Sequence, residues 1–351
     1  MPELAQSRVA GPNLADDLVQ PFQLEAQTIR GRLVRLGPLV DGVLSRHRYP
    51  EEIAALLGQS LALTATLAGA FKYHGVFTLQ TKGDGPVGLL VADVTSEGEV
   101  RGYARFDEDR LGQAERGRSS GHGAQGIVPR LLGSGYLAFT VDQGPNTERY
   151  QGIVELEGAE LVDCVHHYFR QSEQLDAAFK LAVGRVAGED GKAAWRAAGL
   201  MLQRLPLAGG EPPLPLAQGE PRRAEEGSGS MAEAERREAL EEGWRRALIM
   251  MGSATTAELL DPALGAHDLL YRLFHEDGVR VFRQRPLRSG CRCSEERVIR
   301  VLRALSEAEL EDMVVDGRVS VVCQFCMREY AYDREALAAL RAEGAEDVPL
   351  R

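Results

Sequence analysis

The last quarter of the chain contains Cys291-Arg-Cys293 and, further on, Cys323-Gln-Phe-Cys326. These two stretches carry four of the five cysteines, as two close pairs that residues 294–322 separate. Four thiolates in two tight turns are the ligand set of a tetrahedral zinc site. We therefore predict that the reduced protein binds one Zn²⁺ per chain through these four cysteines, and that the site determines how this part of the chain folds.

The residues alone leave two roles open for this site. In a structural role, the metal would stabilise a segment too small to fold unaided, by roughly 10–16 kcal/mol in zinc-finger peptides. In a sensor role, the close sulfurs of Cys291 and Cys293 would join in a strained, reducible bond once the metal leaves. Nearby cations favour the reactive thiolate, and four arginines crowd the first pair: Arg285, Arg288, Arg292 and Arg297.

Composition and charge narrow the class of protein. The 351 residues are 44% hydrophobic and 26% charged, which is ordinary for a globular protein, and the formal net charge of −11 argues against binding nucleic acid. The first twenty residues have no apolar signal core, and we find no apolar run long enough to cross a membrane. We expect a cytoplasmic protein without a membrane partner, because reduced thiols there favour metal binding.

The region before the cysteines indicates an α+β fold. Pro50 opens a helix whose apolar residues recur at helical spacing up to Phe71. Beyond it, short alternating runs separated by turns predict strands near 76–82, 87–94, 100–106, 137–142, 150–156 and 177–183, with a helix at 160–170 and a glycine-rich loop at 111–135. Consecutive strands joined by short turns predict a mostly antiparallel sheet.

We predict five segments along the chain. The fold is an antiparallel-sheet N-terminal domain with packed helices, a helical middle segment and a small C-terminal Cys₄ zinc domain. Gly and Pro are too frequent in residues 207–230 for a packed element, which predicts a disordered insertion. The segments are a flexible arm (1–20), an N-terminal α+β core (21–184), a helical linker segment containing the insertion (185–285), a zinc-binding domain (286–341) and a tail (342–351).

Three other candidate residues are better explained by structural roles than by catalysis or metal binding. Cys164 lies among apolar neighbours of a predicted helix and is interpreted as a small buried hydrophobe. His166 and His167 are adjacent, so on a helix they point about 100° apart and cannot form a metal pair. We find no phosphate loop and no hydrolase signature, and predict no catalytic residues and no enzyme activity.

The sequence also leaves two alternative functions, from other classes of protein, to be considered. A zinc-ribbon module docking nucleic acid or a protein would need a basic, aromatic face around the cysteines. A metal-dependent hydrolase is disfavoured because four cysteines leave zinc no open position for water.

Several stretches together resemble the redox-regulated 33 kDa heat-shock chaperones, also called 33 kDa chaperonins. The similarity runs from about residue 20 to 340, and its most specific parts are the cysteine pattern and Tyr168-Phe-Arg-Gln-Ser-Glu-Gln174. Further similar stretches are Thr81–Pro86, Leu89–Val94, Val100–Arg105, Arg149–Ile153, Ala198–Pro206 and Phe274–Glu276. The insertion 207–230 and the extended N-terminus depart from the family pattern.

The resemblance implies an ATP-independent holdase that acts in oxidative stress. In that family's mechanism the reduced, zinc-bound protein is inactive, and oxidation joins Cys291 to Cys293 and Cys323 to Cys326. Zinc is then released, the small domain unfolds, and the middle segment exposes apolar surface that binds unfolded client proteins. A homodimer in the oxidised state is left open.

Overall fold

A computed structural model of the chain forms two compact units, residues 1–289 and 290–351, which are described separately. The structure describes residues 16–25, 28–70, 73–119, 126–144, 147, 149–169, 176–188, 191–205 and 231–344. The predicted insertion and most of the predicted arm lie outside these residues. Within the described part of the chain, no helix is long and apolar enough to span a membrane.

Among the described residues, the first unit contains two mainly antiparallel sheets and seven α-helices. Its strands are β1 (Leu18–Leu24), β2 (Ile29–Leu36), β3 (Val76–Gly83), β4 (Val87–Thr95), β5 (Glu99–Phe106), β6 (Gly135–Asp142), β7 (Tyr150–Glu155), β8 (Ala177–Ala187), β9 (Ala193–Arg204), β10 (Val279–Val281), β11 (Arg285–Pro286) and β12 (Arg288–Ser289). Its helices are α1 (Pro38–Leu44), α2 (Glu51–Ala68), α3 (Glu108–Ser119), α4 (Leu161–Tyr168), α5 (Met231–Ser253), α6 (Thr256–Leu260) and α7 (Ala266–Phe274).

The strands pair in two different orders. The first sheet runs β10-β1-β2-β9-β8, with β11 also paired to β1, and the second runs β12-β5-β4-β3-β6-β7. All the pairings are antiparallel except the short parallel contact of β12 with β5. The antiparallel α+β fold predicted from the sequence is thereby confirmed.

The main core forms around α2, which contacts strands of both sheets. Leu56, Leu57 and Leu61 are fully buried there. The helix also buries hydroxyl groups, and each donates to a carbonyl four residues back, as Thr64 does to Ser60 at 2.6 Å. Because these donors are satisfied within the helix, α2 can be buried on most sides without unpaired polar groups.

A second core lies on the other side of the first sheet, under α5, α6 and α7. Two buried arginines fasten this layer to the sheet. Arg196 on β9 donates from Nε to the carbonyl of Leu260 at 2.6 Å, and its Nη2 pairs with Asp16 at 2.5 Å. Arg35 on β2 donates to the carbonyls of Asp261 and Leu264. The loop between α6 and α7 is therefore bonded to two neighbouring strands.

Three expectations about these elements were wrong. The predicted arm ends earlier, because β1 begins at Leu18 and pairs along β2. The predicted helical segment begins with strand instead, since β9 occupies 193–204 between β2 and β8. The predicted loop 111–135 includes most of α3 and a π-helical turn at Val128–Leu132.

Residues 279–289, which we term the return strands, carry the chain back along both sheets. They comprise β10, β11 and β12. The amide of Phe282 donates to the Pro21 carbonyl at 2.9 Å, and that of Arg288 donates to the Gly98 carbonyl at 2.9 Å. The first unit thus ends on strands that pair with β1 and β5.

The second unit contains three helices and one hairpin: α8 (Glu295–Ala304), α9 (Glu307–Asp312), α10 (Arg334–Gly344), β13 (Arg318–Val322) and β14 (Glu329–Asp333). Its buried apolar cluster, among the described residues, consists of Leu302, Leu310, Val319, Tyr332 and Leu337. A cluster this small contributes little apolar burial, so the unit needs another source of stability.

Candidate metal centre

The first cysteine pair lies in the segment that enters α8. The hydroxyl of Ser294 accepts a hydrogen bond from the Arg297 amide at 3.3 Å and caps the helix. Cys293 immediately precedes this cap, beside the positive end of the helix dipole, which favours a negatively charged sulfur.

The second pair lies in the turn between β13 and β14, as the sequence predicts. The amide of Met327 donates to the Cys323 carbonyl at 2.8 Å, and the Cys323 amide donates to the Arg328 carbonyl at 2.9 Å. Met327 closes the turn with a left-handed φ of 59°. This backbone keeps Cys323 and Cys326 on one side of the hairpin end.

The four sulfurs converge on a single point of the second unit. All four lie within 4.8 Å of one another, with Cys291 Sγ 3.6 Å from Cys323 Sγ and Cys293 Sγ 3.4 Å from Cys326 Sγ. A tetrahedral site with Zn–S bonds of about 2.3 Å has S–S edges of roughly 3.8 Å. The spacing therefore fits one tetrahedral metal ion, and all four side chains are half-buried.

The pKa values of the clustered thiols also favour a bound cation. Burial raises the pKa of Cys326 to about 12, and its neighbouring thiols add to that rise. Burial also raises the pKa of Cys291. Four sulfurs this close cannot all ionise together unless a positive charge lies among them. A divalent ion bound here would supply that charge.

Cys293 differs from its neighbours because it receives a hydrogen bond from outside the cluster. The hydroxyl of Tyr330 on β14 donates to its Sγ at 3.3 Å. Burial opposes ionisation of Cys293, but this bond and the contacts with the other thiols outweigh it and lower the pKa to about 7. Cys293 therefore ionises more readily than Cys291 and Cys326.

Sequence reasoning missed Tyr330, although a signal for it exists. Alternate residues of a strand share a face, and Tyr330 lies near the turn that carries the second cysteine pair. A tyrosine at that position in the hairpin would have been a candidate donor to a sulfur.

The other candidates lie apart from this centre. Cys164 is fully buried in the first unit, and its thiol donates to the Glu157 carbonyl at 3.2 Å. His166 accepts a hydrogen bond from the Phe179 amide at 3.2 Å. Two of the arginines expected near the first pair, Arg285 and Arg288, belong to the first unit, where Arg288 pairs with Glu99 at 3.0 Å.

An antiparallel α+β unit followed by a separate four-thiol unit defines a protein with a C-terminal module that could hold a metal ion. Comparison with known proteins specifies the family. The family model described as Hsp33 protein matches residues 17–333. The 33 kDa chaperonin of Caulobacter vibrioides is 38% identical over 319 residues, which cover 91% of this chain and 95% of that protein. The 33 kDa chaperonin of Ectopseudomonas mendocina is 35% identical over 336 residues, covering 95% and 98%. The chain therefore belongs to the Hsp33 family.

A solved structure shows the same fold. The 33 kDa chaperonin of Thermotoga maritima superposes with a TM-score of 0.69 at 22% identity, covering 95% of this chain and 100% of that one. Family membership makes this protein a chaperone, not an enzyme, and indicates that it binds unfolded client proteins.

Proposed function

We propose that this chaperone is an ATP-independent holdase whose activity is switched on by oxidation of its four-cysteine centre. The observation that carries the proposal is the convergence of four half-buried sulfurs within 4.8 Å, in a unit with a very small apolar core. In the reduced state Cys291, Cys293, Cys323 and Cys326 would hold one Zn²⁺ and stabilise the second unit.

The proposed oxidation joins Cys291 to Cys293 and Cys323 to Cys326. Each disulfide forms when two metal-binding thiolates lose two electrons to one hydrogen peroxide, which takes up two protons from solvent and is reduced to two waters. Two peroxides per chain therefore consume all four ligands. The second pairing is supported by the turn at the end of β13, because two backbone hydrogen bonds hold Cys323 and Cys326 within that one turn.

Loss of the four ligands should unfold the second unit, because its apolar cluster is too small to sustain it. The next step of the proposed activation is a change in the layer that α5, α6 and α7 form on the first sheet. Leu269, Leu270 and Phe274 of α7 are buried against the first sheet, and the surface beneath this layer is apolar. If oxidation loosens the layer, that surface becomes available to unfolding clients.

A protein that is inactive while reduced needs a reducing compartment, so we place it in the bacterial cytoplasm. We also include in the proposal a homodimer in the oxidised state, as a second copy is one way to cover newly exposed apolar surface.

The proposal is tested on the full chain by measuring zinc content, free thiols and suppression of light scattering from a heat-denatured client. Before peroxide we expect one zinc, five thiols and no suppression. After peroxide we expect no zinc, one thiol and strong suppression without nucleotide, with peptide mapping showing disulfides within each pair. The matched control, Cys164→Ser, should behave identically with one thiol fewer. Equal suppression by the reduced protein, or disulfides mainly between the pairs, would contradict the switch.

A further inference from the structure

The first unit contains a cleft of about 1160 Å³ whose lining includes none of the four clustered cysteines. Its floor is formed by β1 and β2, and its walls by the end of α2, the turn between β4 and β5, and the return strands. Arginine is prominent in the lining: Arg30, Arg32, Arg283 and Arg285 face it, against one acidic residue, Glu97.

Three of these arginines lie on the same face of the first sheet. In the register of β1, Arg285 is opposite Val19, and Arg32 is opposite Pro21, two residues further along. Arg30 is two positions from Arg32 on β2. Residues that pair across two strands lie on the same face of a sheet, and so do alternate residues of one strand. One face of the sheet therefore carries Arg30 and Arg32 from β2 and Arg285 from β11, on either side of β1.

No carboxylate of the described residues forms an ion pair with these three side chains. Arg32 donates from Nε to the Gly69 carbonyl at 2.9 Å and contacts Met201 Sδ at 3.7 Å, and both partners are uncharged. The Glu97 carboxylate instead accepts a hydrogen bond from the Ser96 hydroxyl at 2.6 Å. The cleft therefore concentrates positive charge, although the net charge of the whole chain is −11.

The arginines also disfavour one another. Burial, and then the charges of Arg285 and Arg30, lower the pKa of Arg32 to about 10. Like charges assembled around a partly enclosed space raise the local potential, and an anion in that space would relieve the repulsion. Among the residues that the structure describes, no carboxylate pairs with these charges, so an anion from outside the chain would offset them.

We propose that this cleft binds an oligophosphate anion, either inorganic triphosphate or the triphosphate group of a nucleotide, through Arg30, Arg32 and Arg285. Guanidinium groups match phosphate oxygens in planar, two-point contacts. Arg30 and Arg32 are spaced by two strand residues, roughly 6.6 Å, which suits several linked phosphates better than a single small anion. Tyr73 and His74 add rings to the wall.

Such a ligand would connect elements that are far apart in sequence. Arg285 belongs to β11, whereas Arg30 and Arg32 belong to β2, and β1 lies between them. An anion that contacts both sides would fasten the return strands to the sheet. Binding should therefore slow amide hydrogen exchange in residues 282–287 and in the adjoining part of β2.

The test is calorimetric titration of the reduced, zinc-loaded full chain with sodium tripolyphosphate at about 150 mM salt. Arg30→Gln combined with Arg285→Gln should raise the Kd by about tenfold or more. Arg32 is left in place because it also bonds the end of α2. The control combines Arg48→Gln with Arg318→Gln, which removes the same charge from exposed positions outside the cleft and should leave the Kd within about twofold.

Several outcomes would overturn the proposal. They are the absence of saturable binding to the wild type, an equal loss in the control variant, or exchange protection of the wild type outside the cleft. The exchange footprint needs no variant, so it decides the matter even if the substituted protein folds poorly. ATP and adenosine distinguish the source: ATP should bind at least as tightly as tripolyphosphate, whereas binding of adenosine alone would contradict phosphate recognition.

Discussion

The two cysteine pairs differ in how the backbone positions them. Cys323 and Cys326 belong to a closed hairpin turn, with two backbone hydrogen bonds across it. Cys291 and Cys293 precede the cap of α8 in a segment without regular structure. The first pair therefore depends more on the metal for its position than the second does.

Metal binding should depend on the four clustered sulfurs and not on the fifth. Cys323→Ser should abolish stoichiometric zinc binding, because it removes one of four ligands and leaves a harder oxygen donor. Cys164→Ser should retain one zinc per chain, measured by metal analysis of the purified reduced proteins. The reverse pattern would mean that the ligand set is wrongly assigned.

Cys164 should be the least reactive thiol of the folded protein. Burial raises its pKa to about 11, so it stays protonated at neutral pH. With chelator present, a thiol reagent at pH 8 should label four cysteines quickly and Cys164 only after denaturant is added.

As pH rises from about 9 to 11, the Cys164 thiol loses its proton in the unfolded chain before it does so in the folded protein. The free energy of unfolding should therefore fall over this range.

Sequence spacing was sufficient to find the four sulfurs, because ligand geometry restricts them to two short turns. The place of Tyr330 beside the hairpin turn makes it a candidate donor, but spacing does not identify its acceptor, because the contact with Cys293 depends on how β14 lies against the approach to α8. A hydrogen bond between residues 37 positions apart leaves no local pattern in the sequence.

Among the elements, α6 and α7 depend on two arginines of the first sheet. Arg196→Met removes a hydrogen bond to the Leu260 carbonyl and leaves Asp16 with a weaker partner, since its contact with Arg35 is 3.8 Å long. We expect the free energy of opening of residues 256–274 to fall by about 3 kcal/mol, measured by amide hydrogen exchange.

The exposed Arg48→Met is the matched control for Arg196→Met. It should change the same opening free energy by less than about 0.5 kcal/mol. An equal effect in both variants would show that the bonds of Arg196 do not fasten the layer.

The strands and helices that were predicted are those with a regular local pattern, such as α2 and β3. Among the elements that were missed, two have identifiable reasons. β1 contains Pro21, which argues against a paired strand, yet its carbonyl accepts a bond from Phe282. β9 is rich in alanine, which favours helix, but it pairs with strands on both sides.

Close packing explains why β9 tolerates its small residues. A Cβ at Gly199 would lie 2.3 Å from Thr66 Oγ1 of α2, so the strand needs a glycine there. Such a requirement comes from the neighbouring helix, and the sequence of the strand does not reveal it.

At the scale of the whole molecule, the two units have separate apolar cores of very different size. Metal removal should therefore unfold the second unit and leave the two sheets of the first unit folded. After a strong chelator is added to the reduced protein, amides in 290–344 should exchange rapidly, while those in the two sheets of the first unit keep their protection.

The control for chelation is readdition of zinc, which should restore slow exchange in the second unit. Loss of protection in both units at once would show that the cores are not independent.

The pairing of β1 with β10 also affects how the protein is made. Phe22 pairs with Val281, so one of the first strands translated cannot complete its sheet until residues near 281 have left the ribosome. At about 5–20 residues per second, the delay between them is roughly 10–50 s. Contacts this distant in sequence also slow folding itself. During that interval the nascent chain exposes an unpaired edge of β1, so this chaperone is itself vulnerable to aggregation during its own synthesis.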